Sequence, residues 1–99
     1  MLNITKNTNG TELLIGLEGR LDTVTAPSLE NELKGSLDGV DSLILDMAEL
    51  QYISSAGLRV LLSAQKVMNK QGRMVIRNAS EDVKEIFDVT GFSDILTIE

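Results

Sequence analysis

Apolar and polar positions change rhythm several times along the chain, and each change marks an element. Leu2–Asn7 is short and mixed, while Glu12–Glu18 carries Leu13, Leu14, Ile15 and Leu17. Between them Thr8-Asn9-Gly10-Thr11 is turn chemistry, because Asn and Gly accept positive φ. The two segments are expected to pair as a hairpin, with Gly19-Arg20-Leu21-Asp22 leading out of it. Pro27 stands where a helix should begin, since its missing N–H would have no helical partner in a first turn. Leu29, Leu33 and Leu37 then recur at i, i+4 and i+8, one face of a helix. Glu30 and Glu32 suit the N-terminal dipole of that helix, and Gly39 ends it.

Leu43-Ile44-Leu45 is a short apolar run closed by Asp46, as in a strand buried on both faces. Residues 47–54 read as a loop, pinned to the core by Leu50, Tyr52 and Ile53. The clearest helix spans about Ser55–Lys70. Leu58, Leu61, Leu62, Gln65 and Met68 share one face of it, and Arg59, Ser63, Lys66 and Lys70 form a narrow polar stripe. Gly72 stops it, and Met74-Val75-Ile76 is the next strand. Ser80 caps a third helix with Glu81 and Asp82 in its first turn, and Val83, Ile86 and Phe87 face inward. Gly91 ends that helix, and Asp94–Ile98 is expected as a last strand. The order is ββαβαβαβ. It predicts one small α/β domain over residues 1–99, a central mixed sheet made of an N-terminal hairpin plus parallel strands, with helices packed on it.

Composition narrows the chemistry. Of 99 residues 42% are hydrophobic but only three are aromatic, so the core is aliphatic. The balance of 9 basic against 15 acidic side chains, −6 overall, argues against nucleic acid and against an anionic membrane surface. With no Cys and no His, thiolate and imidazole catalysis, Cys or His zinc ligation and disulfides are all excluded. The N-terminus lacks a signal-peptide pattern and no apolar run reaches membrane-span length, so the expected location is the cytoplasm. The glycines form no phosphate-cradling loop. A phosphoaspartate receiver would need an acidic pair after its first strand and a lysine ending its last, and neither is present.

Two groups of residues remain as candidate chemistry. Paired carboxylates for acid–base work would have to come from Asp22, Asp46 and Glu49, and Asp22 and Asp46 both follow predicted strands, which would let them share one sheet edge. Carboxylates at such places are more commonly caps, and Asp22 in particular could cap the first helix. The second group is Ile53-Ser54-Ser55-Ala56-Gly57-Leu58-Arg59, two serines at the head of the best helix. One serine acting as N-cap is the plain structural reading. Gly57 is out of place, because glycine in a helix costs about 1 kcal/mol against alanine. Close approach of another group explains it better.

The stretch Asp46-Met47-Ala48-Glu49-Leu50-Gln51-Tyr52-Ile53-Ser54-Ser55-Ala56-Gly57-Leu58 resembles the signature of the STAS domain family, the bacterial anti-sigma factor antagonists and their relatives. Gly19-Arg20-Leu21-Asp22-Thr23 with Ala26-Pro27 resembles the segment before that family's first helix, and the order of elements agrees along essentially the whole chain. The resemblance implies a non-enzymatic module that binds an anti-sigma factor, itself a serine kinase, and so releases a sigma factor. It implies phosphorylation of Ser55 as the off-switch, a PP2C-type phosphatase as its reversal, and no cofactor. Ser54 departs from the pattern, where the family usually has Asp. The implied contact surface is Asp22, Thr23, Ser54, Ser55, Gly57, Leu58 and Arg59, with Leu58 also a core candidate. Two other readings stand beside this one. One is a STAS scaffold subunit of a stress-signalling or lipid-transport complex in which Ser55 is never phosphorylated. The other is a carboxylate enzyme with a concave pocket between Asp22 and Asp46.

Overall fold

Strand β1 (Leu2–Asn9) and strand β2 (Glu12–Leu21) pair antiparallel through a two-residue turn in which Gly10 has φ 64°. In the computed structural model, which describes residues 2–99, the hairpin is followed by helix α1 (Ala26–Ser36) and strand β3 (Ser42–Ile53). Helix α2 (Ser55–Gln71), strand β4 (Arg73–Arg77) and helix α3 (Glu81–Thr90) complete the main elements. The sheet order is β1-β2-β3-β4, with β2, β3 and β4 parallel. Two successive right-handed crossovers in the same direction put α1 and α2 on one face. On that face Leu13, Ile15, Leu17, Leu43, Leu45, Met47, Met74 and Ile76 are all at most 2% exposed. Leu29, Leu33, Leu61, Met68, Val83 and Phe87 of the helices close over them.

β3 is much longer than its sequence suggests. The predicted end at Asp46 and the predicted loop over 47–54 are both incorrect, since the strand runs on to Ile53. Its register against β2 explains why. Asp46 faces Gly16 but Glu49 faces Glu18, and Leu50 faces Gly19 but Tyr52 faces Arg20. Each step inserts one extra residue into β3, a β-bulge. Buried positions on the core face therefore fall at 43, 45, 47, 50 and 53, and the spacing changes from two to three. A period of three resembles neither a strand nor a helix. β2 likewise continues through Gly19-Arg20-Leu21, where the sequence suggested an exit, with Gly19 at φ 105°.

Two smaller expectations also change. Asp94–Ile98 is not a full strand. Phe92–Asp94 forms a 3-10 turn that brings the chain back from α3, and only Ile98 bridges Ile76. The Ile76 N–H donates to Thr97 at 2.8 Å and the Glu99 N–H donates to Ile76 at 2.8 Å. The element order is thus ββαβαβα with one parallel bridge after it. Glu30 and Glu32 lie beyond the first turn of α1 and serve pairs instead, Glu32 with Lys6 at 2.9 Å and Glu30 with Lys34 at 3.9 Å. Ser80 caps α3 as expected, accepting from the Val83 N–H at 3.2 Å, and Gly91 ends it at φ 81°.

Phe87 is fully buried beneath α3 and is the largest side chain in the core. Phe87→Ala should lower the unfolding free energy by about 3–5 kcal/mol. Urea denaturation measures this, and a loss below about 1 kcal/mol would contradict the packing described.

Candidate functional site

The site lies where β2 and β3 outrun β4. β4 stops at Arg77, opposite Asp46, whereas β3 continues beside β2 until Leu21 faces Ile53. The Ser54 N–H then donates to the Leu21 carbonyl at 2.8 Å, so the two strands leave the sheet side by side. One exit enters α1 through Asp22–Thr25, and the other enters α2 through Ser54. Two helix starts therefore sit together at the C-terminal edge of the parallel strands, the usual place for a functional site in such a sheet.

The exit of β2 is a cross-braced turn. Asp22 Oδ1 accepts from the Val24 N–H at 3.0 Å and the Thr25 N–H at 3.1 Å. Thr25 Oγ1 accepts from the Asp22 N–H at 2.8 Å and donates to the Arg20 carbonyl at 2.8 Å. The Thr25 N–H, the Thr25 side chain, the Val24 N–H and the Arg20 charge hold the Asp22 carboxyl below the usual aspartate range. The α1 N-cap itself is Thr25, so Asp22 braces the turn before the helix rather than capping it. Thr23 and Val24 at the tip are exposed. Beside the turn, the Arg20 guanidinium lies 4.4 Å over the Tyr52 ring, its register partner on β3, and its Nε is 3.9 Å from Asp22 Oδ2.

The exit of β3 divides its two serines. Ser54 has extended backbone at the N-cap, and its Oγ accepts from the Gly57 N–H at 3.4 Å. Ser55 is the first residue of α2, is exposed, and uses its hydroxyl in no hydrogen bond among the described residues. Gly57 and Leu58 turn inward. Leu58 is 4% exposed, and a Cβ on Gly57 would come 2.7 Å from Leu21 Cγ and 2.9 Å from Ile53 Cγ1. The close approach that Gly57 signals comes from the sheet beneath it. Of the seven contact residues expected from the sequence, Asp22, Thr23, Ser54, Ser55 and Arg59 reach the surface at this edge, whereas Gly57 and Leu58 form its floor. The sequence does not single out Arg20 or Thr25 for this edge, and it places Tyr52 in the core, whereas Tyr52 is 36% exposed because its side chain lies on the face opposite Ile53. The Asp22-x-x-Thr25 spacing is a readable turn signal, but the Arg20–Tyr52 stack depends on the bulges and is invisible without them.

The carboxylate pair does not assemble. Asp46 sits in mid-strand, where its Oδ1 accepts from the Ala48 N–H at 3.0 Å and Asn78 Nδ2 at 3.2 Å. Asp22 lies past the end of the neighbouring strand, roughly 20 Å further along the sheet at about 3.3 Å per residue. A cavity of about 260 Å³ contains Asp46 and Glu49 without Asp22. A second, of about 370 Å³ between α1 and α2, contains none of the three.

Comparison with known proteins follows this geometry. The STAS domain profile matches residues 3–99. BtrV of Bordetella bronchiseptica is 39% identical over 88 residues, covering 87% of this chain and 76% of the relative. The anti-sigma-B factor antagonist of Bacillus subtilis is 29% identical over 98 residues, covering 98% and 90%. Among solved structures, an anti-sigma factor antagonist from Mycobacterium paratuberculosis superposes with TM-score 0.88 at 19% identity, over 99% of this chain and 85% of that one. Bacillus SpoIIAA superposes in its unphosphorylated form with TM-score 0.76 and in its phosphorylated form with 0.75, both at 17% identity. The matches cover 100% of this chain, with 87% and 91% of the respective SpoIIAA chains.

Two predictions follow from the packing and charge of this edge. Helix propensity alone makes Gly57→Ala stabilising by about 1 kcal/mol. The contacts with buried Leu21 and Ile53 reverse the sign, and urea denaturation should show a net loss of about 1–3 kcal/mol. Asp22 has a native pKa below its unfolded value, so its contribution is present above the unfolded pKa and disappears as pH falls through the native one. Melting temperature followed from pH 6 downward should therefore fall more steeply below about pH 4 for wild type than for Asp22→Asn. Parallel curves would show that the brace does not depend on the ionised carboxylate.

Proposed function

The chain belongs to the STAS domain family, and on that premise we propose that residues 1–99 act as one domain, an anti-sigma factor antagonist switched by phosphorylation of Ser55. The unphosphorylated form binds an anti-sigma factor that is also a serine kinase, and so frees a sigma factor. Phosphate on Ser55 ends that binding, and a PP2C-type phosphatase restores it. All of these partners would meet the chain in the cytoplasm. Among the described residues no helix is long and apolar enough to cross a membrane.

The observation that carries this reading is the division of the serines. Ser54 spends its oxygen on the helix cap, while Ser55 stands exposed and uncommitted at the first position of a 17-residue helix. A phosphate there would meet the free N–H groups and positive end of α2, so the folded state tolerates it. The modification adds about −1.5 to −2 charges to a chain that already carries −6. A partner surface shaped around a hydroxyl would then face bulk, repulsion and a desolvation cost. Ser54 in place of the family's usual Asp removes one negative charge beside the acceptor. The phosphate would thus supply most of the local charge change.

The test pairs folding with binding. Ser55→Asp should melt within about 4 °C of wild type, equivalent to under about 1 kcal/mol in a domain of this size. The same variant should lose at least about tenfold in affinity, or 1.4 kcal/mol, for the purified serine-kinase anti-sigma factor that wild type binds. Ser55→Ala should retain binding and accept no phosphate from that kinase and ATP. Equal affinity of Ser55→Asp and wild type would instead favour a scaffold that is never switched.

A further inference from the structure

A cavity of about 370 Å³ lies in the groove between α1 and α2, away from Asp22, Asp46 and Ser55. Buried Leu33, Leu37, Val60 and Ala64 form its floor, and Val67, 42% exposed, stands at its mouth. Glu30, Lys34, Asp38, Ser63 and Gln71 supply its polar groups. We propose that this cavity is a binding site for a small aliphatic cation, an ammonium group carried on a short apolar chain. This inference goes beyond the antagonist reading and does not depend on Ser55.

Size and lining argue for a small molecule. Cavities of roughly 300–1,000 Å³ lined mainly by apolar side chains are typical of such ligands. The small Ala64 side chain leaves this space open where α2 meets Leu33 and Leu37 of α1. From Glu30 to Asp38 the cavity follows only about 12 Å of chain, which suits a short aliphatic body and not a partner helix. The sign of the ligand's charge follows from the topology. α1 and α2 leave the same sheet edge and run in the same direction, so their C-terminal ends lie together at the far end. Leu37, Asp38 and Gln71 line the cavity at that end. Gln71 joins the two helix ends, its Nε2 donating to the Leu37 carbonyl at 2.6 Å and also to the Val40 carbonyl. Helix C-termini carry negative partial charge, and Asp38 adds a full one. Among the described residues the Asp38 carboxylate, the Ser63 hydroxyl and Gln71 Oε1 accept no hydrogen bond. Lys34, the one cation lining the cavity among the described residues, is 3.9 Å from Glu30. An ammonium group therefore meets free acceptors in a negative field, whereas a carboxylate would meet a single lysine already beside a glutamate. The overall charge of −6 also draws cations toward the chain.

The probes are hexylammonium chloride, hexanol and sodium hexanoate, which share a chain and differ in charge. Each is titrated into the isotope-labelled full chain while backbone amide shifts are followed by NMR. Hexylammonium should give saturable shifts centred on Leu33, Leu37, Ala64 and Val67, in the millimolar range that so few ligand atoms permit. Hexanoate should bind at least about fivefold more weakly, with hexanol between the two. Asp38→Asn should weaken hexylammonium about two- to fivefold and leave hexanol unchanged. Val67→Trp should fill the mouth of the cavity and remove the saturable shifts. Val89→Trp, at an 81% exposed valine of α3, should not. Melting curves establish that each variant is folded, and Ser63→Trp takes the place of Val67→Trp if that variant is not. Equal affinity for all three probes would overturn the assignment of a cation. Absence of saturable shifts with hexylammonium, or shifts that survive a folded tryptophan variant at the mouth, would overturn the site itself. None of these outcomes bears on the antagonist reading, whose test is binding of the kinase.

Discussion

The extension of β2 and β3 beyond β4 is the constraint on which the rest of this edge depends. A single backbone hydrogen bond, from Ser54 to Leu21, fixes where both strands end. From that point α1 follows β2 through the short turn Asp22–Thr25 and α2 follows β3 through Ser54, so the two helices start at the same edge. Gly57 completes the arrangement. Its lack of a side chain lets the first turn of α2 rest on Leu21 and Ile53, the last paired residues of the two strands. Sheet, turn and helix head are thereby joined in one tightly packed unit, and every surface residue of the site is attached to it.

The polar groups of the edge divide their work in the same way. Asp22 and Thr25 satisfy backbone donors and acceptors within their turn, and Ser54 does so at the head of α2. These residues spend their hydrogen-bonding capacity on structure. Among the described residues the Ser55, Thr23 and Arg59 side chains make no hydrogen bond, and Arg20 engages only a ring and a distant carboxylate. Residues that hold the edge in shape and exposed residues with uncommitted side chains therefore alternate along two short stretches of chain. That alternation explains why two adjacent serines stand in unlike surroundings, one at the helix cap and one exposed.

Much of this was legible in the sequence. The hairpin, the three helices, the Ser80 cap and the mixed sheet all follow from periodicities and turn residues that act locally. The serine pair and the out-of-place glycine single out the candidate edge from the sequence alone. What could not be read were the consequences of non-local pairing. Two bulges changed the spacing of buried residues on β3 from two to three, so Leu50 and Ile53 looked like loop anchors when they are strand residues. A strand ending at Asp46 would set Asp22 and Asp46 at one edge, whereas β3 runs on to Ile53. The Arg20–Tyr52 stack likewise exists only in the register that the two extra residues set. The last segment failed for a different reason. Its composition permits a strand, but the return from α3 consumes half of it in a turn.

The seating of the α2 head on the sheet has a consequence for how information passes through the molecule. A switch that works by changing shape must hold part of its population in the unfavoured conformation, and its apparent affinity falls by that fraction. A helix head seated on buried Leu21 and Ile53 through a glycine is closely packed against the sheet, and close packing resists displacement. Under the proposed phosphorylation, the difference between the two forms would then be expressed mainly at the surface. In such a device the ratio of bound to unbound depends on the partner's complementarity, and evolution can retune it by changing side chains at one edge without disturbing the core.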